Sequence, residues 1–332
     1  SWWVKMFPNI NPRPELARAL LEPGQDLFSR GGKRWRPLLA HLICQTLGGG
    51  DAAIPLLGLV EFPHNASLIH DDLEDDSNER RGKAAIHLLY GNDTAINAGS
   101  FLYFLPLMDL EHWNGDPQAQ IRIWKLYAAH LRLLHLGQSM DIAWHREPAF
   151  TPSLEDYMLM CSLKTGCLAR FAALLGAEVA RVVQNTILDK GLTASLGEAA
   201  QKLGVGFQIL DDVKNLRTGI PGKTRGDDVV EGKKSLPVLL FLHGSGVGPD
   251  AGTKRTQRVE FVTRCFMAAK AGGAAVPEVE ALTRALEEAG VLTEAERQGK
   301  ALINQAGVFF SGIPAENPDA KKLLMGLTER LL

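Results

Sequence analysis

The sequence predicts an all-α fold, a bundle of roughly ten or more helices in a single domain over residues 1–332. Three observations carry that reading. No run of alternating β-branched residues closes on an Asn-Gly or Asp-Gly turn. Apolar residues recur at three- and four-residue steps through most of the chain. The stretches between those runs are short and rich in Gly, Pro, Asn and Asp.

Taken in order, the first helical runs are 37–47 and 54–73, separated by Gly48-Gly49-Gly50-Asp51. Asn114-Gly115-Asp116-Pro117 precedes 123–137, where Leu126, Tyr127, Leu131, Leu134 and His135 recur at helical spacing. The turn-prone 146–152 leads into runs at 154–175 and 192–216. Residues 218–228 form a loop before 234–242, and 244–252 a loop before 259–271, 276–290 and 293–306. The candidate motifs fall in 31–237, and 254–332 reads as C-terminal helices. Pro63, inside the second run, should remove one backbone hydrogen bond and kink that helix.

Composition narrows the function classes. Hydrophobic residues make up 45% and charged residues 22%, enough apolar surface for a sizeable core. Thirty-six basic against thirty-eight acidic residues leave a formal charge of −2, so no global field favours nucleic acid or an anionic membrane. Anion binding must come from local clusters. Cys44, Cys161, Cys167 and Cys265 form no CxxC pair and no zinc spacing with histidine, as expected of reduced thiols in a cytoplasmic protein. No charge-free apolar stretch approaches the roughly 20 residues of a membrane span. No signal pattern follows Ser1-Trp2-Trp3.

Two acidic segments stand out. In Asp71-Asp72-Leu73-Glu74-Asp75, a continuing helix puts Asp71 and Asp75 one turn apart on one face, with Asp72 beside them. Like charges at that spacing repel. Magnesium reverses the sign, taking a few carboxylates and completing its shell with water and phosphate oxygens. One such cluster alone reads more readily as a solvated surface. The second, Asp211-Asp212-Val213-Lys214-Asn215, ends another apolar helical run. Arg80, Arg81 and Lys83 follow the first cluster; Lys223, Arg225, Lys233 and Lys234 follow the second. Two acidic faces across one cavity would hold a diphosphate through bridging metals, with Arg and Lys neutralising the remaining charge.

With these residues the chain resembles the trans-prenyl diphosphate synthases. Asp71-Asp72-Leu73-Glu74-Asp75 with Arg80-Arg81-Gly82 is similar to that family's first DDxxD motif. Gly31-Gly32-Lys33-Arg34-Trp35-Arg36-Pro37 resembles its GGKxxRP segment. Gly137-Gln138, Asp141, Lys164-Thr165-Gly166, Phe207-Gln208, Asp211-Asp212, Gly222-Lys223 and Glu231-Gly232-Lys233 follow in the family's order. The resemblance implies an isoprenoid synthase-type bundle around a central cavity, with a homodimer as the assembly. It implies isopentenyl diphosphate and an allylic diphosphate as partners, with roughly three magnesium ions per site as cofactor. The allylic diphosphate loses pyrophosphate, the double bond of isopentenyl diphosphate attacks the resulting cation, and a proton leaves.

The resemblance also implies residue roles. Asp71, Asp75 and Asp211 would bind magnesium, with Asp72 and Asp212 bound directly or supporting. Arg80, Lys164, Lys223 and Lys233 would hold the allylic diphosphate. Gln208 and Thr165 would position that substrate and the cation, while Gln138 and Asp141 support the same wall. Gly32, Lys33, Arg36, His64 and Arg81 match the isopentenyl diphosphate site; taken alone, His64 reads as a core histidine. Asn215 departs from the commonest form of the second motif, which ends in Asp, and resembles the DDxxN of eukaryotic geranylgeranyl diphosphate synthases. That group also implies a product-length floor of Tyr103, Phe104 and His135. On a regular helix, Ala66 and Ser67 would face the tunnel and leave it open past the farnesyl length; close helix packing is the lesser alternative for small residues there.

The expected product is therefore geranylgeranyl diphosphate, with a longer-chain or farnesyl product as the alternative. Three other readings compete. A terpene cyclase would not need Lys33 and Arg36, and a non-catalytic partner subunit would lack motif residues that this chain keeps. A di-iron bundle would require a second E-x-x-H beside Glu61-Phe62-Pro63-His64. Gly222-Lys223-Thr224 fails as a P-loop because Arg217 stands where glycine is required.

Overall fold

The computed structural model describes residues 14–186, 189–219, 225–244 and 251–332. The chain opens with α1 (Pro14–Ser29) and α2 (Trp35–Thr46), then a 3₁₀ turn at Ile54–Leu56 and α3 (Gly58–Glu74). A two-stranded hairpin, β1 (Glu79–Arg80) and β2 (Lys83–Ala84), leads to α4 (Ile86–Tyr90), α5 (Asn92–Phe104) and α6 (Leu107–Glu111). The long α7 (Pro117–Arg146) follows. Next, α8 (Leu154–Cys161) joins α9 (Cys167–Gln184) through a π turn at Ser162–Gly166. The remaining helices are α10 (Lys190–Arg217), α11 (Asp227–Val230), α12 (Leu236–His243), α13 (Ala251–Gly272), α14 (Pro277–Glu288), α15 (Val291–Gly312) and α16 (Pro318–Arg330).

The all-α expectation holds, and the differences have local causes. Residues 123–137 are only the middle of α7. Its start is set by Asp116, whose side chain accepts the backbone N–H groups of Gln118 and Ala119, with Pro117 in the first turn. The sequence reading named no helix at α1 or α5, and α16 falls within its C-terminal helices of 254–332. It also found no strand, and the hairpin has only two residues on each side, too short to show alternation. Its turn is specified instead by Arg81 and Gly82, at φ of 55° and 77°, the left-handed pair that suits a tight hairpin. Pro63 sits inside α3, which continues through it to Glu74 with Asp75 as its C-cap.

Two apolar clusters hold the helices. Leu39 and Ile43 of α2, Phe171 and Leu175 of α9, Leu203 of α10, and Ile303 and Phe310 of α15 are buried together. Leu239 of α12, Val262 and Phe266 of α13, and Leu282 and Leu286 of α14 form the second. Side-chain packing of this kind fixes the angles at which α3, α7 and α10 meet. The continuous helix Leu154–Gln184 is apolar and long enough to cross a membrane, which the search for charge-free runs missed. Within the fold, 67% of its apolar window is buried, as in a core helix.

Candidate active site

The hairpin after α3 sends its two arginines in different directions. Arg80 turns to the end of α3, where Nε donates to Asp72 Oδ1 at 2.7 Å and Nη2 lies 3.4 Å from Asp71 Oδ2. Burial opposes the charge on Arg80, but Asp72 and Asp71 outweigh it and raise its pKa. Arg81 reaches back, and its Nη1 donates to the carbonyls of Leu27 and Gly31 and to Asn65 Oδ1. It thereby fastens the glycine segment before α2 to α3.

Asp71 is also gripped from the far side. Lys164 Nζ donates to Asp71 Oδ1 at 3.0 Å and to Asp141 Oδ2 at 2.5 Å, and Gln138 Nε2 donates to Asp71 Oδ1 at 3.0 Å. Lys164 lies on the π turn, a local bulge of the kind often found at functional sites. α7 approaches that turn closely at Gly137, where an added Cβ would stand 2.3 Å from Lys164 N. Any side chain there would push Lys164 away. Burial works against the Lys164 ammonium, yet Asp141 and Asp71 hold its pKa well above the ordinary value.

Asp75 is placed differently from the expectation. It caps α3 instead of continuing it and does not line the main cavity. Its Oδ1 lies 3.3 Å from His145 Nδ1, while His145 Nε2 lies 2.9 Å from Asp141 Oδ1. Burial opposes protonation of His145, but Asp141 and Asp75 prevail and bring its pKa up to about 9. Sequence reasoning missed His145; its place one turn after Asp141 on the same helix was the available signal.

On α10, Lys33 Nζ lies 3.4 Å from Asp211 Oδ1 and 4.3 Å above the Phe207 ring. Asp212 is buried and accepts from Gln208 Nε2 at 2.8 Å and from the Tyr157 hydroxyl at 3.3 Å. Thr165 Oγ1 donates to Gln208 Oε1 at 3.0 Å, so π turn and α10 are tied through the expected pair. Burial pushes Asp212 up to about 7 and also raises Asp211. Asn215 is buried, and its Oδ1 accepts the Asp228 N–H at 3.3 Å, at the start of α11. Asp228 in turn pairs with Lys233 at 3.2 Å. The fifth position of the second motif thus positions the loop that carries Lys233, a use for an amide that the motif alone did not reveal. Lys223 lies outside the described residues.

A cavity of about 750 Å³ is lined by Asp71, Asp211 and Asp212, together with Arg80, Lys164, Gln138, Thr165, Gln208 and Lys233. Asp141 sits behind this wall, against Lys164. Gly32, Lys33, Arg36, His64 and Arg81 line the same cavity. Arg36 is buried, and burial draws its guanidinium down to about 10, still cationic at neutral pH. Its Nη1 lies 3.4 Å from His64 Nε2, while its Nε has no hydrogen-bond partner among the described residues. Burial and the charges of Arg36 and Arg81 hold the His64 pKa well below the usual histidine range, so the ring is neutral and accepts. A buried guanidinium edge without an acceptor suits an anion.

The carboxylates fit divalent metal. Asp75 Oδ2 is buried without a hydrogen-bond partner among the described residues, and burial raises the pKa of both Asp75 and Asp211. These are acceptors that a hard cation would satisfy. Among the described residues no three His, Cys, Asp or Glu side chains form a cage. Magnesium does not need one, because it retains water and takes phosphate oxygens.

The expected product-length residues divide. Ser67 lines the cavity, whereas Ala66 is fully buried among Leu27, Ile69 and Ile86. Tyr103 is buried and stacks between His70 and His135, at ring distances of 5.8 and 5.1 Å, without lining the cavity. Phe104 is 66% exposed, so its expected place in the floor is not met within one chain. His135, like Tyr103, does not line the cavity, and Ala66 beside Ser67 and Phe104 beside the buried Tyr103 miss for one reason. Successive helical residues point about 100° apart, and two neighbours rarely face one tunnel.

Fold and site together define an α-helical prenyltransferase. Residues 17–258 match the polyprenyl synthetase family model. The chain is 30% identical, over 97% of its length and 95% of the relative's, to a geranylfarnesyl diphosphate synthase of Aeropyrum pernix. It is 36% identical to a geranylgeranyl pyrophosphate synthase of Penicillium janthinellum, over 72% of this chain but only 63% of that protein. A geranylgeranyl pyrophosphate synthetase structure from Pyrococcus horikoshii superposes with a TM-score of 0.78 at 27% identity, covering 95% of this chain and 90% of that one. A Caulobacter crescentus polyprenyl synthase complexed with calcium and isoprenyl diphosphate gives 0.76 at 26% identity, covering 96% and 88%. The chain belongs to the polyprenyl synthetase family, and within it is a trans-prenyl diphosphate synthase.

Proposed function

We propose that this synthase condenses an allylic diphosphate with isopentenyl diphosphate in a magnesium-dependent reaction, and that its main product is geranylgeranyl diphosphate. One observation carries the reading: acid faces from α3 and α10, remote in sequence, line one cavity together with buried cations. Magnesium bound by Asp71 and Asp211, which line the cavity, and by Asp75 if it leaves His145, would neutralise the diphosphate that leaves. Arg80, Lys164 and Lys233 are already fixed by carboxylates, so little reorganisation accompanies departure of the diphosphate. Thr165 and Gln208, hydrogen-bonded to each other on the cavity wall, would stand beside the carbon that becomes cationic. Arg36 and Lys33, which line the same cavity, hold isopentenyl diphosphate by charge, and its carbon–oxygen bond stays intact. The Caulobacter relative's ligands support the pairing of a divalent cation with a prenyl diphosphate in this fold.

A stop at the geranylgeranyl length rests on the likeness of Tyr103 and His135 to the floor residues of that group; here the two rings stack on each other without lining the cavity. The outward turn of Phe104 favours a second reading, a longer product such as that named for the Aeropyrum relative. A homodimer fits the apolar side chains left exposed on α5 (Ile96, Phe104) and α7 (Trp124, Leu133, Leu136), which a second copy would cover. Four unpaired, buried cysteines suit a cytoplasmic setting. The test is incorporation of labelled isopentenyl diphosphate by the chain alone, with magnesium and dimethylallyl, geranyl or farnesyl diphosphate, sizing the products. Chain elongation is expected with at least one primer. No incorporation with any of them would reject the reading in favour of a non-catalytic partner subunit.

A further inference from the structure

Between α7, α9 and the first turn of α10 lies a second cavity, of about 480 Å³, that shares no lining residue with the first. Its walls are strongly unbalanced in charge. Arg170, Glu178 and Arg181 lie along one stripe of α9, Arg122 comes from α7 and Lys190 from α10, so four cations face one lining carboxylate. Glu178 is already taken, by Arg122 Nε at 2.7 Å and Arg181 Nη2 at 2.9 Å. Arg122 also lies 3.7 Å from Asp116, an exposed contact of little strength. Arg170 has only a neutral partner, Gln201 Oε1 at 3.3 Å, and neither Arg170 nor Lys190 forms an ion pair among the described residues.

Arg170 and Lys190, without acids of their own among the described residues, repel each other and the cations already held by Glu178, and the fold gains nothing from that arrangement by itself. A ligand carrying at least two negative charges removes the repulsion. Guanidinium forks match the paired non-bridging oxygens of phosphate groups, and the cavity is larger than one phosphate requires. Leu126 and Leu174 complete the lining with apolar surface. We infer that this cavity binds a diphosphate group between Arg170 and Lys190, at a site separate from the catalytic cavity. The group has two possible sources, inorganic pyrophosphate or a prenyl diphosphate whose first carbons lie on Leu126 and Leu174. No catalytic residue takes part, so the site does not depend on the condensation proposed above.

The test is calorimetric titration of the full chain in EDTA, where the catalytic cavity lacks its metal. Inorganic pyrophosphate and geranylgeranyl diphosphate are used as separate probes. Saturable binding of at least one is expected, weakened about tenfold or more by Arg170→Gln with Lys190→Gln, because two charged donors are lost. Ala194→Glu, which adds a carboxylate at an exposed helical position of the same wall, should weaken it likewise without removing any existing contact. Turnover at saturating substrate should stay within about twofold of wild type in these variants. Binding of pyrophosphate alone assigns the inorganic source, and binding of the prenyl compound alone assigns the amphiphile. Binding of neither overturns the inference. So does binding that survives both sets of changes but is lost in Lys164→Gln, since the ligand would then sit in the catalytic cavity.

Discussion

The two acidic helix ends look alike in sequence and are built differently. On α3, Asp71 and Asp72 meet Arg80, Lys164 and Gln138, and Asp75 meets His145, so protein cations surround the carboxylates. On α10, Asp211 has the exposed Lys33 at 3.4 Å, and Asp212 is supported by the neutral Gln208 and Tyr157. The first side is preorganised by fixed charge. The second is held mainly by hydrogen bonds, and burial raises both of its aspartates where on the first it raises Asp75, leaving more for an incoming cation to neutralise.

The comparison breaks first if either side is dispensable. Asp71→Ala and Asp211→Ala should each lower turnover by roughly three orders of magnitude or more, measured as condensation at saturating substrates. Full activity in one variant would remove that side from the mechanism. Stability should separate the two sides. Lys164→Met takes the ammonium from the buried Asp141 and from Asp71, leaving His145 on Asp141, and should cost about 2–4 kcal/mol in urea unfolding, whereas Lys33→Met should stay within about 1 kcal/mol. Equal losses would contradict the difference.

Asn215→Ala releases the Asp228 N–H and should cost about 1 kcal/mol, raising KM for the allylic substrate more than it lowers kcat. An unchanged KM would detach the amide from the placement of Lys233. The smallest effect concerns pH, in chelated protein. Both clusters contain groups raised above their unfolded values, so each contributes stability at low pH that is lost as pH rises. For Asp212 the loss runs from about its ordinary value of 3.8 to about 7, and for His145 from 6.5 to about 9. His145→Asn should flatten the melting temperature over the upper window only. Flattening of the lower window instead would reassign the titrations.

Much of this site was legible in the sequence, because Asp71, Lys164, Gln208 and Asp211 sit in motifs whose residue types carry their chemistry. Helical spacing alone left Asp71 on a face that solvent could cover; the second acidic cluster and the ordered motifs put it on a cavity wall. Other features depend on contacts that no local pattern encodes. His145 is recognisable only once α7 is known to extend past Asp141, and polar residues at the ends of that helix hid its length. Asn215 read as a weaker metal ligand, while its packing against α11 gives it a backbone to hold. Ala66 and Phe104 were assigned inward with their neighbours, and a helix turns too far per residue to permit both. The second cavity is assembled from α7, α9 and α10, and no linear motif announces it.

The claim that the two helices close on one metal-filled pocket is tested most directly by titrating a non-ionisable allylic thiodiphosphate into wild type and Asp211→Asn, with and without magnesium. Binding that depends on magnesium in wild type, and loses that dependence in the variant although Asp71 is intact, is the predicted result. Equal magnesium dependence in both proteins would contradict it, placing the diphosphate on α3 alone.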